Sequence, residues 1–303
     1  MPKPLNSQTE KRQQESLAVR FSATDGESVL FVKSSSDVGV IRNGGRNGAR
    51  FAPRSLLSFF KKLAIDPRAS RFAFQEAEVS RADEEVTDFE DAQKREAARI
   101  ADEFRKFPGA RLIHLGGGHD HVYPLLLNFA EKKRVVVINL DAHADTRTDS
   151  EAHSGTPFRQ FARDYKGDFH LFQLGLHVFA NAPSTLSDLP RGKMRVLWRK
   201  DLQEEAQWEK FFSEIRSLVD SETVVIFSLD ADALSGELVP GVSAVNGLGL
   251  KTAELFKAWR MYRSLPLPHA PILGIYELNP VYDTLSGMSM RFMANFLYVT
   301  FRD

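Results

Sequence analysis

Residues 134–145 read RVVVINL followed by DAHAD, and residues 223–232 read TVVIFSL followed by DAD. Each is a β-branched, nearly continuous apolar run that ends in acids. Such runs fit strands buried on both faces of a parallel sheet. In open α/β sheets, ligands bind beyond the carboxyl ends of the strands. The two runs therefore place Asp141, His143, Asp145, Asp230 and Asp232 at the rim where chemistry is expected. In extended chain, residues i, i+2 and i+4 point to one side, so Asp141, His143 and Asp145 should converge, as should Asp230 and Asp232. Four gathered carboxylates repel and raise one another's pKa unless a cation compensates them, and buried charges persist when paired or bound to metal. Neither motif contains a run of Lys or Arg. A divalent metal, best as a pair, is the economical explanation.

The rest of the chain extends the α/β pattern. Strands are expected at Val29–Val32, Val38–Ile41, Leu112–Leu115, Phe169–Leu176, Met194–Trp198 and Pro271–Leu278. A glycine-rich turn covers Asn43 to Gly48. Helices are expected from Pro53, a residue favoured in a first helical turn, through Phe60, and over Glu204–Val219 and Thr252–Arg263. A charged amphipathic helix spans Phe89–Lys106, with Ala98, Ile100, Ala101 and Phe104 facing inward. The last helix starts after Gly287 and carries Phe292, Met293, Phe296 and Leu297. Residues Glu76 to Glu90 read as an acidic surface loop. Strands alternating with helices imply a parallel sheet covered on both faces. Residues 1–18 read by composition as a flexible tail, and 19–303 as a single domain, since no repeat or linker interrupts them.

Composition excludes several functions. Lys plus Arg and Asp plus Glu number 40 each among 303 residues, without the basic excess expected of a nucleic-acid binder. There is no cysteine, which removes disulfides, thiolate-held zinc, iron–sulfur clusters and thiol nucleophiles. The polar start, MPKPLNSQTEKRQQES, lacks a signal-peptide apolar core. No apolar run approaches the ~20 residues of a membrane helix. A soluble, cytoplasmic protein without a membrane partner is expected.

Three further motifs bear on chemistry. Gly116-Gly117-Gly118-His119-Asp120 follows a strand, and its glycines let the backbone turn sharply and aim His119 into the strand-end crevice. Glu277 ends another strand and adds an acid at the same rim. Neither Gly44 to Ala49 (GGRNGA) nor the triple glycine has P-loop or dinucleotide-fold spacing, and Ser154-Gly155-Thr156 forms no GxSxG elbow. Nucleotide binding and serine hydrolysis are disfavoured.

Together, Gly117-Gly118-His119, Asp141-Ala142-His143-Ala144-Asp145, Ser228-Leu229-Asp230-Ala231-Asp232 and Glu277-Leu278-Asn279-Pro280 resemble, in order, the motifs of the ureohydrolases: arginase, agmatinase and formimidoylglutamase. The resemblance runs from about Gly39 to the C-terminus. It implies a three-layer α/β/α fold around a central, mostly parallel eight-stranded sheet, and two Mn²⁺ ions per chain. One ion would take His119, Asp141, Asp145 and Asp230; the other would take His143, Asp141, Asp230 and Asp232, with Asp141 and Asp230 bridging. Within the family, Val40 to Ala49, the GGGH form, Ser154 to Gln160 and Val239 to Ala244 are most similar to formimidoylglutamases.

The resemblance implies hydrolysis of N-formimino-L-glutamate to L-glutamate and formamide, a step of histidine degradation. Asp145 would handle the proton passed to the leaving nitrogen, and Glu277 would hold the cationic amidine. His153 is a candidate proton shuttle, although it lies one residue before the register of the arginase His-Gly pair. A two-carboxylate substrate needs cationic partners, for which a guanidinium fork is suited. Arg147, Arg159, Asn43 and Arg46 are the candidate substrate contacts. The chain has Leu234-Ser235-Gly236 where many relatives carry an Asp-Pro pair. A guanidino hydrolase acting on agmatine, arginine or another guanidino acid is the alternative, and a metal-binding subunit without turnover a more distant one. The family also implies a homo-oligomer.

Overall fold

The computed structural model describes residues 14–81 and 86–302. Eight strands form one sheet in the order β2-β1-β3-β8-β7-β4-β5-β6. They are β1 Glu27–Ser34, β2 Phe72–Ser80, β3 Arg111–Gly116, β4 Arg134–Leu140, β5 Asp168–Leu174, β6 Gly192–Leu197, β7 Thr223–Asp230 and β8 Ile272–Tyr276. Every pairing is parallel.

The apolar runs alternate between two cores. Val136 and Ile138 of β4 pack into one layer with the helices Ala52–Lys61, Glu205–Leu218, Thr252–Arg263 and Met288–Thr300. Val135 and Val137 pack into the other, with Phe89–Lys106, Val122–Leu127 and Pro157–Asp164. A strand with no polar face must be covered twice, because each side buries apolar surface worth roughly 25 cal/mol per Å².

Register lines up the rim. Leu115 pairs with Ile275, Ile275 with Leu229, and Leu229 with Leu140. The next residue on each strand, Gly116, Tyr276, Asp230 and Asp141, therefore stands in one row across the four central strands.

Four segments differ from the sequence reading. Val38–Arg42 is a helix rather than the strand expected at Val38–Ile41. β1, the strand that leads into it, is paired on both sides, so no pairing beside β1 is open to that segment. It turns instead over the rim, where Gly39 lies so close to the Asp120 carboxylate that a side chain would collide. Glu76 to Ser80 belong to β2 rather than to a loop, while residues 82–85 lie outside the described residues. β2 is an edge strand, where charged residues are tolerated, and Glu76 pairs with Lys33 and Lys61 and Glu78 with Arg54.

The helix Phe89–Lys106 has the expected bounds, but Ala98 is exposed, and Gln93 and Glu96 are buried beside Ala97 and Ile100. Finally, residues 1–13 of the expected tail lie outside the described residues, but Ser16 and Leu17 are buried. Leu17 N–H donates to Leu63 O at 2.8 Å, Ile65 N–H donates to Glu15 O at 2.8 Å, and the Leu17 side chain is fully buried. An apolar residue at the end of a polar stretch anchored the chain that composition read as loose.

Candidate metal centre

The rim row gathers two ligand groups. His119, Asp141, Asp145 and Asp230 form one, and Asp141, His143 and Asp232 the other. Asp141 belongs to both. In the first, His119 Nδ1 lies 3.2 Å from Asp141 Oδ2, 2.8 Å from Asp145 Oδ2 and 3.1 Å from Asp230 Oδ2. In the second, His143 Nδ1 lies 3.2 Å from Asp232 Oδ2 and 3.7 Å from Asp141 Oδ1. Asp230 Oδ1 accepts the Asp232 N–H at 2.8 Å, which ties the first group to the second.

Convergence does not come from strand alternation. Residues 141–145 leave the sheet and turn. Asp141 Oδ1 accepts the His143 N–H at 2.7 Å, and Asp145 sits at φ 51°. Asp232 lies in a 3-10 turn, Ala231–Ala233. The turns send His143 and Asp145 to different groups. Among the described residues, Asp145 and Glu277 (φ 63°) are the non-glycine residues with positive φ. Such backbone is costly and tends to gather at functional sites.

Partners behind the ligands hold them. Asn139 Nδ2 donates to Asp141 Oδ2 at 3.2 Å and to Gln173 Oε1 at 2.9 Å. Gln173 Nε2 donates to Ala144 O at 2.6 Å. Asn181 Oδ1 accepts the Ala144 N–H at 2.7 Å. His119 has Ser228 Oγ 3.0 Å from Nε2, the Tyr276 ring stacked on it at 4.9 Å, and its backbone N–H donated to Glu277 Oε1 at 2.9 Å. The supporting roles of Ser228, Asn139, Gln173, Asn181 and Tyr276 escaped the sequence reading, because most of these contacts join distant segments, which a single strand does not display.

The donor set fits cations. His119 Nδ1 and Asp232 Oδ1 are buried without a hydrogen-bond partner, and buried polar atoms are rarely left so. With Nε2 engaged by Ser228, Nδ1 is the free ligand atom. Carboxylate and imidazole donors suit divalent ions such as Mn²⁺.

The electrostatics agree. Burial and the Asp145 charge push Asp141 up to about 7, and burial with the Asp232 and Asp141 charges raises Asp230 well above its usual value. Burial opposes a charged His119, yet Asp141, Asp145 and Asp230 raise its pKa far above the ordinary imidazole value. The Asp232 charge pushes His143 up to about 11. Burial pushes Glu277 up to about 8, against the stabilising His119 N–H. A site that holds protons this tightly carries more negative charge than its two imidazoles balance.

A cleft of about 400 Å³ opens over both groups, reaching Asp145 and Asp230 of the first and His143 and Asp232 of the second. Asn43, Arg46, Arg147, Ser154, Ser243 and Glu277 line it together with the ligands. Arg147 Nη1 donates to Asn43 Oδ1 at 2.8 Å and its Nε contacts Asp149 Oδ2 at 2.7 Å. Arg46 donates to Ser243 O and Val242 O and lies 4.2 Å over the Tyr282 ring. Two candidates fall elsewhere. Arg159 is a strut, donating to Thr146 O at 2.7 Å and to Ser187 Oγ at 3.0 Å. His153 accepts the Gly155 N–H on Nδ1 at 3.0 Å and turns Nε2 to Asp149 Oδ2 at 2.7 Å. Both its nitrogens are engaged, and it is not among the residues that line the cleft.

Comparison with known proteins places the chain. A family model described as arginase family matches residues 35–301. A formimidoylglutamase of Chromobacterium violaceum is 33% identical over 263 residues, covering 84% of this chain and 81% of that protein. The crystal structure of formimidoylglutamase from Bacillus subtilis superposes with TM-score 0.79 at 21% identity, covering 92% of this chain and 88% of that one. The structure of Trypanosoma cruzi formiminoglutamase with Mn²⁺ superposes with TM-score 0.74 at 22% identity, covering 94% and 97%. Among the described residues, no helix is long and apolar enough to cross a membrane.

Proposed function

The chain belongs to the arginase family, and from that premise we propose that it hydrolyses the C–N bond of N-formimino-L-glutamate, giving L-glutamate and formamide. The observation that carries this reading is a pair of ligand groups sharing Asp141 at the floor of a cleft that also presents Arg147 and Arg46. His119, Asp141, Asp145 and Asp230 would hold one manganese ion, and Asp141, His143 and Asp232 the other. A bound pair of divalent cations supplies a water activated for attack at neutral pH.

The chain's own residues do the remainder. Glu277 gives one oxygen to the His119 N–H and has the other for the cationic amidine, in a charge-assisted hydrogen bond. The approach of that cation favours ionised Glu277, offsetting the burial that raises its pKa. Asp145, held at the floor, passes a proton to the nitrogen that leaves as the glutamate amine. Arg147 and Arg46, with Asn43, pair the two substrate carboxylates. Arg147 is already oriented by Asn43 and Asp149, so less rotamer freedom is lost on binding. A homo-oligomeric cytoplasmic enzyme of histidine degradation goes with this reading.

The test is product identity. Protein loaded with Mn²⁺ and offered N-formimino-L-glutamate, agmatine and arginine should release formamide and glutamate from the first. Urea from either guanidino substrate, with no formamide, would overturn the assignment.

A further inference from the structure

Behind His119 runs a chain of buried polar side chains that the chemistry above does not use. Ser34 Oγ donates to Glu96 Oε1 at 2.7 Å and lies 2.8 Å from His114 Nε2. His114 Nδ1 lies 2.9 Å from the Tyr276 hydroxyl. Ser34, His114 and Tyr276 are fully buried, and Glu96 is nearly so.

The direction of each bond follows from the carboxylate. Glu96 only accepts, so the Ser34 proton goes to it. Ser34 Oγ then accepts from His114, which places the His114 proton on Nε2. Nδ1 is left as an acceptor, and the Tyr276 hydroxyl donates to it. Burial, with His121 nearby, keeps His114 neutral, as this requires. Glu96 is itself held by His121 Nδ1 at 2.9 Å.

Tyr276 lies in a slot made for its ring. A side chain at Gly116 or at Gly274 would collide with it. The ring stacks on His119 at 25° between planes, while Phe158 meets His119 edge-on at 88°. Tyr276 therefore fixes the plane in which His119 presents Nδ1 to Asp141, Asp145 and Asp230.

We propose that Tyr276, oriented through His114, Ser34 and Glu96, is a positioning residue that tunes cation binding at the first ligand group without acting on the second. The inference rests on the two-cation reading above. Among the described residues its ring meets one ligand, His119, and on its other side His114.

The experiment is a two-site Mn²⁺ titration of the full metal-free chain by calorimetry, with ¹⁵N ring shifts of His114 as a second readout. Wild type should bind two ions and show His114 protonated on Nε2. Tyr276→Phe keeps the ring but drops the hydroxyl, and should weaken one ion about tenfold, the scale typical of groups that orient a ligand, while sparing the other. Ser34→Ala, which touches no ligand, should weaken the same ion by less. In a His119→Ala background the Tyr276→Phe penalty should vanish, as a double-mutant cycle requires of a coupled pair. Equal weakening of both ions, no weakening in either variant, a penalty that persists without His119, or His114 protonated on Nδ1 would overturn the inference while leaving the function intact. A wild-type chain that binds no pair of ions overturns the proposed function, and this inference with it.

Discussion

The two ligand groups share Asp141 but sit in different surroundings. The His119 side chain is 0% exposed, while that of His143 is 38% exposed and faces the cleft. The deep group is backed by Tyr276, Phe158 and Ser228 from distant parts of the chain. The shallow group is shaped by neighbours in sequence, the His143 N–H on Asp141 and the Asp232 N–H on Asp230. Long-range packing builds one half, and short turns build the other. The His119 end is thus enclosed, while His143, Asp232, Asp145 and Asp230 face the cleft where substrate can arrive.

Five substitutions test that contrast, the largest effect first. Asp141→Asn removes the shared carboxylate, so both ions should be lost in a metal titration and activity should fall by more than about 10³-fold, beyond the loss of a single transition-state contact. Retention of one ion at wild-type affinity would mean the two halves are not joined there. Asp145→Asn and Asp232→Ala each strike one half, and each should lower kcat by about 10²–10³-fold with the fold retained by circular dichroism. Asp145→Asn should weaken the deep ion and Asp232→Ala the shallow one; reversed losses would interchange the halves.

Arg147→Ala changes the cleft wall and leaves both halves standing. It should raise KM for N-formimino-L-glutamate by roughly 10–100-fold, as for a charged hydrogen bond of about 1.5–3 kcal/mol, and leave KM for agmatine unchanged. An equal rise for both would remove the carboxylate role. The smallest effect is expected from His153→Ala, because that ring serves Gly155 and Asp149. kcat should stay within about twofold, and stability should fall by about 1 kcal/mol in a denaturant melt. A large loss of kcat with unchanged metal content would return His153 to the chemistry.

The strands β4 and β7 were legible because doubly buried parallel strands leave an unmistakable apolar run, and the acids that end them mark the rim. The six residues that gather at the rim could be named for the same reason, aided by the ordered motifs. Their geometry could not. Alternation placed Asp141, His143 and Asp145 on one side, whereas the Asp145 backbone at positive φ splits His143 and Asp145 between groups. Val38–Arg42 misled in the same way, since the strand preference of β-branched residues depends on their tertiary neighbours.

By itself the sequence determined which residues are apolar, which are acidic and in what order they leave the sheet, because burial of strands and the chemistry of carboxylates are carried by residue type. Tertiary structure alone decided that Leu115, Ile275, Leu229 and Leu140 share a row, that Arg159 and His153 lie outside the lining of the cleft, and that Glu96 of a helix meets Ser34 of β1. Register, turn angle and hydrogen-bond direction are relations between segments far apart in the chain, and they come into being only when those segments meet.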